Sequence, residues 1–83
     1  MEKQVFYEQA VEKVIREWNP IEFSQPQNEY FDVISDVFDS TTYKSAPLTI
    51  ARAVRKSFLV TYGKQISIDE CRKWAEKIKI LIT

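Results

Sequence analysis

Trp18-Asn19-Pro20-Ile21, followed by Pro26-Gln27-Asn28-Glu29-Tyr30, is the stretch that decides how this chain folds. A proline biases the residue before it away from the α region, so a helix reaching Trp18 must stop ahead of Pro20. Ile21 and Phe23 then alternate with Glu22 and Ser24, which lets both apolar side chains turn inward. Pro26 suits a first helical position, where its missing N–H has no helical partner. The stretch therefore closes one helix, extends, and opens another.

Upstream, a helix is predicted from about Lys3 to Trp18. Tyr7, Val11, Val14 and Trp18 follow the i, i+4, i+7, i+11 template, and Ala10 and Ile15 widen the stripe. Glu12 and Arg16 form an i, i+4 pair of favourable orientation. Downstream, the second helix is predicted from near Pro26 to about Asp39. Tyr30, Phe31, Val33, Ile34, Val37 and Phe38 share one broad face at 100° per residue. Glu29, Asp32, Asp36 and Asp39 share an arc of about 80° on the opposite face. Ser40 to Lys44 reads as a loop.

The third helix is expected to use Ser45 as its N-cap, with Pro47 in the first turn. Its inward residues are Leu48, Ile50, Ala51, Val54, Phe58 and Tyr62. Gly63, the single glycine of the chain, falls where that pattern stops and reads as a left-handed C′ residue. Ser67-Ile68-Asp69-Glu70 is a capping box for a fourth helix. In it the Ser67 hydroxyl takes the Glu70 N–H, and the Glu70 carboxylate reaches back to the Ser67 N–H. Ile66 and Cys71 sit at the staple positions. Cys71, Trp74, Ala75, Ile78, Leu81 and Ile82 form the expected buried face, with Ile80 on the charged side. Four amphipathic helices on short loops imply an all-α, compact four-helix bundle in a single domain, residues 1–83, with consecutive helices antiparallel.

Composition narrows function mainly by exclusion. The 83 residues are 45% hydrophobic and 13% aromatic, enough for a real core in a short chain. Twelve basic and twelve acidic residues give a net charge of zero. That argues against a dedicated nucleic-acid binder, which shows a basic excess. No apolar run approaches the ~18 residues of a membrane span, and the first residues lack the apolar core of a signal peptide. A lone cysteine makes no internal disulfide and points to the cytoplasm. Histidine is absent, which removes the commonest general base and transition-metal ligand. No cofactor, metal or catalytic residue is implied, and the chain does not read as an enzyme.

The Trp18-Asn19-Pro20-Ile21 turn and the Pro26-x-x-Glu29-Tyr30 helix start resemble a family of small, Bacillus-type bacterial all-helical domains of unknown function. Phe58-x-x-x-Tyr62-Gly63 is similar as well. The resemblance implies an all-α fold in the bacterial cytoplasm. It brings no catalytic residue, cofactor or partner.

Candidate binding residues fall in two clusters. Glu29, Asp32, Asp36 and Asp39 carry −4 with no basic residue between Pro26 and Tyr43. Like charges at i, i+3 and i, i+4 cost about 0.2–0.5 kcal/mol per pair, so the column is cheapest with cations against it. Those cations are either Arg52, Arg55 and Lys56 of the same chain or belong to a basic partner; otherwise the face is simply solvated. Arg52, Arg55 and Lys56 form the complementary basic cluster, flanked by Lys44 and Lys64. A solvated face competes there with a phosphate-contacting one. Tyr43, in the loop, is either a core plug or a partner contact. Cys71 lies on an apolar stripe and reads as buried. The expected function is contact with a protein partner through these faces, as an adaptor, regulator or immunity-type inhibitor. The alternatives are a nucleic-acid accessory using the third helix and a self-associating structural protein.

Overall fold

Apolar side chains at helical spacing are realised as four α-helices: α1 (Glu2–Trp18), α2 (Phe31–Ser40), α3 (Pro47–Tyr62) and α4 (Ile68–Leu81). A 3-10 turn, Pro26–Asn28, precedes α2. The structure is a computed structural model describing residues 2–83. Neighbouring helices pack in a ring, α1 on α2, α2 on α3, α3 on α4 and α4 on α1. The radius of gyration is 11.5 Å, against about 11.8 Å for a compact domain of this length.

Side-chain contacts set the directions. Tyr7, early in α1, meets Phe38 late in α2, with ring centroids 6.3 Å apart. Arg16, late in α1, lies 4.9 Å over the ring of Phe31 at the start of α2. Tyr30, just before α2, packs on Phe58 and Tyr62 at the end of α3. Trp18 at the end of α1 stacks on Trp74 in α4, 5.5 Å apart at 17°. At the opposite end, the Tyr43 N–H donates to Gln4 Oε1 and Lys79 Nζ donates to the Tyr43 carbonyl. The bundle therefore runs up-down-up-down. Tyr7, Val11, Val33, Val37, Ile50, Val54, Phe58, Cys71 and Ile78 fill its centre. Tyr7 and Thr41 bond through their buried hydroxyls, and Thr41 passes its own proton to the Val37 carbonyl at 2.5 Å.

The junction after α1 is held by two side chains. Asn19 leaves the right-handed α region, as Pro20 requires, and takes φ 48, while its N–H still reaches the Ile15 carbonyl at 2.9 Å. Asparagine is among the few residues that tolerate this left-handed well. Its side chain then brackets the extended segment. Oδ1 accepts from the Phe23 N–H (3.0 Å) and from the Tyr30 hydroxyl, and Nδ2 donates to the Phe23 carbonyl (2.9 Å). The Tyr30 hydroxyl in turn accepts the Ile21 N–H at 3.1 Å. Ile21 and Phe23 pack on the core as their alternation predicts.

That clasp corrects the start of the second helix. Pro26 opens the 3-10 turn, closed by the Glu29 N–H on the Pro26 carbonyl, and α2 begins at Phe31. Tyr30, tied by its hydroxyl to Asn19, sits at φ 70, a conformation an α-helix does not continue through. Two expectations change with it. Phe31 is 63% exposed rather than buried, and Glu29 leaves the helix and its acidic column.

The remaining helix ends divide. The N-cap of α3 is Ala46, because the Ser45 hydroxyl is already used by the Thr42 N–H in the preceding turn. Gly63 closes α3 at φ 65, its N–H on the Leu59 carbonyl and that of Lys64 on the Phe58 carbonyl, as expected for a C′ glycine. Ser67 caps α4 through the Glu70 N–H at 3.1 Å. The Glu70 carboxylate does not reach back; it accepts the Trp18 indole N–H at 2.9 Å and so joins α4 to α1. Leu48 is only half-buried. Leu81, expected inside, is exposed because α4 ends there and Ile82 turns against the core instead. Ile80 is exposed, as its place on the charged side predicts.

Candidate functional site

Asp32, Asp36 and Asp39 stay on α2 and are all exposed. Asp36 is the member turned toward α3, where its Oδ2 accepts the Ser57 hydroxyl proton at 3.0 Å. Ser57 is a buried polar residue on the apolar stripe of α3, and that bond satisfies it. Beside this contact runs a groove of about 260 Å³ between the two helices. Asp36, Asp39 and Ser40 form one bank, Lys56 stands on the other, and Ala53, Ser57 and Val60 lie along α3 between them. Val60 is 73% exposed.

The two charge clusters thus meet in part: because α2 packs on α3, Asp36 and Asp39 of one face Lys56 of the other across one groove. Lys56 shares the groove with Asp36 and Asp39, yet no ion pair forms: among the described residues the salt bridges are Arg16–Glu12 and Arg72–Glu76. Neither Arg52, Arg55 nor Lys56 forms an ion pair with the acidic column. Arg52 is exposed one turn before Lys56. Arg55 is also exposed and does not line the groove.

Two other candidates lie outside the groove. Glu29 is half-buried in the turn before α2, and its carbonyl faces Arg16 Nη2 at 3.4 Å. Tyr43 ties the α2–α3 loop to α1 and α4 through its backbone, with its ring between the ammonium groups of Lys3 (6.0 Å) and Lys44 (5.7 Å). Of its two readings, the plug is the one the contacts favour.

Cys71 is fully buried, as expected. Burial pushes its thiol up to about 11, with Glu70 adding to the shift and Arg55 opposing it. At neutral pH it is a protonated core residue. Among the described residues no group of three or more acidic or cysteine side chains gathers to hold a metal ion, and no helix is long and apolar enough to cross a membrane.

Sequence reading missed Val60 and Phe31. Val60 falls off the Ile50–Val54–Phe58 stripe, which was the available signal. Phe31 lines a second groove with Ile34, Phe38, Glu8, Glu12 and Arg16. Only the left-handed turn at Tyr30 reveals that it points out.

A family model described as Domain of unknown function (DUF1871) matches residues 10–82. The chain belongs to this family. No curated protein and no solved structure matches it. The DUF1871 match spans the Asn19–Tyr30 clasp, both banks of the α2–α3 groove and the whole of α4.

Proposed function

We propose that this DUF1871 protein is a small non-enzymatic adaptor, regulator or immunity-type inhibitor of the bacterial cytoplasm, recognising a protein partner through the charged face of α2 and α3. One observation carries the reading. The Asp36 and Asp39 carboxylates and the Lys56 ammonium line the same groove without forming an ion pair, and the exposed Val60 lines it with them. Asp32–Asp36 and Asp36–Asp39 are like-charge neighbours on one helix, each costing about 0.2–0.5 kcal/mol while uncompensated. A partner that brings cations to that bank relieves the repulsion. One that covers Val60 also places an apolar contact inside a polar rim, the usual anatomy of a specific interface.

The test is capture of partners from the native cell's lysate, with and without nuclease, by the tagged protein and by its Asp32→Asn/Asp36→Asn variant. An amide oxygen at position 36 can still accept the Ser57 hydroxyl, so the fold is retained. A specific protein that survives nuclease and is lost with the variant is the expected result. Capture abolished by nuclease, with a steep salt dependence, would transfer the function to Arg52, Arg55 and Lys56 and to a phosphate backbone.

A further inference from the structure

The groove carries both signs of charge, and their order across it restricts what can dock. A uniformly basic partner meets the Asp36–Asp39 bank favourably but is repelled by Lys56 and Arg52. A uniformly acidic one has the opposite difficulty. The occupant must carry both signs in the reverse order, acid over Lys56 and base over Asp39. The same groove, seen face to face, carries them in that order. We infer that the partner recognised by the α2–α3 face is a second copy of this chain. The inference rests on the interaction reading above and specifies its partner.

The geometry of such a pair follows from the groove. A closed two-copy contact is isologous, so each bank of one copy meets a bank of the other. A two-fold axis lying across the groove would set carboxylates on carboxylates. An axis running along the groove sets α2 of one copy over α3 of the other, and opposite charges then meet on both sides. The levels agree as well. The 3.0 Å Asp36–Ser57 bond places those residues at one height on antiparallel helices. Lys56 of one copy therefore lies within a turn of Asp36 and Asp39 of the other, with Arg52 one turn beyond. Val60, 73% exposed in one copy, is covered by the facing copy. A formal net charge of zero means that two copies approach without overall repulsion.

Sedimentation velocity and light scattering across about 1 µM to about 1 mM, the range in which modest interfaces dissociate, test this directly. The expected mass rises from the 9.8 kDa chain to twice that value, and added salt shifts the rise to higher concentration. Asp39→Lys and Lys56→Glu each put like charges opposite one another at both halves of the interface. Each alone is expected to weaken association by about tenfold or more. Mixed in equal amounts, the two variants place opposite charges at both halves, and the mass of two chains returns. Loss in each variant alone together with recovery in the mixture requires that residue 39 of one copy meets residue 56 of another. Unchanged helical melting by circular dichroism shows that each variant is folded; if Lys56→Glu is not, Arg52→Glu takes its place.

A wild-type chain that stays at 9.8 kDa throughout overturns the inference, as does association indifferent to both variants or a mixture that fails to recover. A monomeric chain whose lysate capture is still lost with Asp32→Asn/Asp36→Asn leaves the interaction reading standing and removes only the second copy.

Discussion

Replacing Tyr30 by Phe deletes one oxygen from the junction between α1 and α2, and with it two hydrogen bonds, to Asn19 Oδ1 and from the Ile21 N–H. Tyr30 is 1% exposed, so solvent cannot fully take over either role. At about 0.5–1.5 kcal/mol net for each bond, the expected loss is roughly 1–3 kcal/mol. A domain of this size has about 4–12 kcal/mol in total and shifts its Tm by about 4–8 °C per kcal/mol. A loss near 2 kcal/mol then lowers Tm by roughly 8–16 °C. Asn19→Gly keeps φ 48 without strain but loses three side-chain bonds, two to Phe23 and one to Tyr30, for roughly 1.5–4.5 kcal/mol. The two variants delete one bond in common. Their losses should therefore exceed the double variant's by the worth of that bond, about 1 kcal/mol. Urea unfolding of the wild type, the two single variants and the double variant measures it. Strict additivity, or a neutral Tyr30→Phe, would refute the clasp and return the junction to proline stiffness alone.

Two further outcomes are expected. Gly63→Ala should cost about 1 kcal/mol, all of it backbone, because a Cβ there meets nothing within 4 Å while φ is 65; a neutral result would reject the left-handed C′ assignment. Stability should also decline in alkali. Burial raises the Cys71 thiol from 9.0 to about 11 and holds the Tyr7, Tyr30 and Tyr62 phenols above 10.0. The folded chain therefore keeps protons that the unfolded chain releases. The stability of the neutral groups is fully present below pH 9.0 and is lost as pH rises through the folded values. Urea midpoints measured from neutral pH upward should fall above that point, less steeply in Cys71→Ala; a flat profile would contradict the buried thiol.

The helices themselves were legible because burial is periodic: Tyr7, Val11 and Val14, or Ile50, Val54 and Phe58, mark their inner faces without reference to any other part of the chain. Ser67 and Gly63 were legible for the same reason, since a cap is chemistry within one turn. What failed was decided at a distance. The start of α2 moved from Pro26 to Phe31 because the Asn19 amide oxygen, eleven residues away, accepts the Tyr30 hydroxyl and holds that residue. Glu70 abandoned its expected cap for an indole fifty-two residues earlier. The acidic and basic clusters were each visible, but that Asp36 and Asp39 share a groove with Lys56 depends on α2 lying against α3.

Both tryptophans of the chain belong to one stacked pair, Trp18 on Trp74. That pair spans α1 and α4, the one contact in the ring between helices at opposite ends of the sequence. Indole fluorescence in this protein consequently reports on ring closure and on the Phe58 ring of α3 that Trp18 also meets, whereas far-ultraviolet dichroism weighs all four helices together. Native chemistry has installed two optical channels with separate meanings. A bundle that opens its α1–α4 seam before its helices melt will separate the two signals, and one that unfolds as a unit will superimpose them.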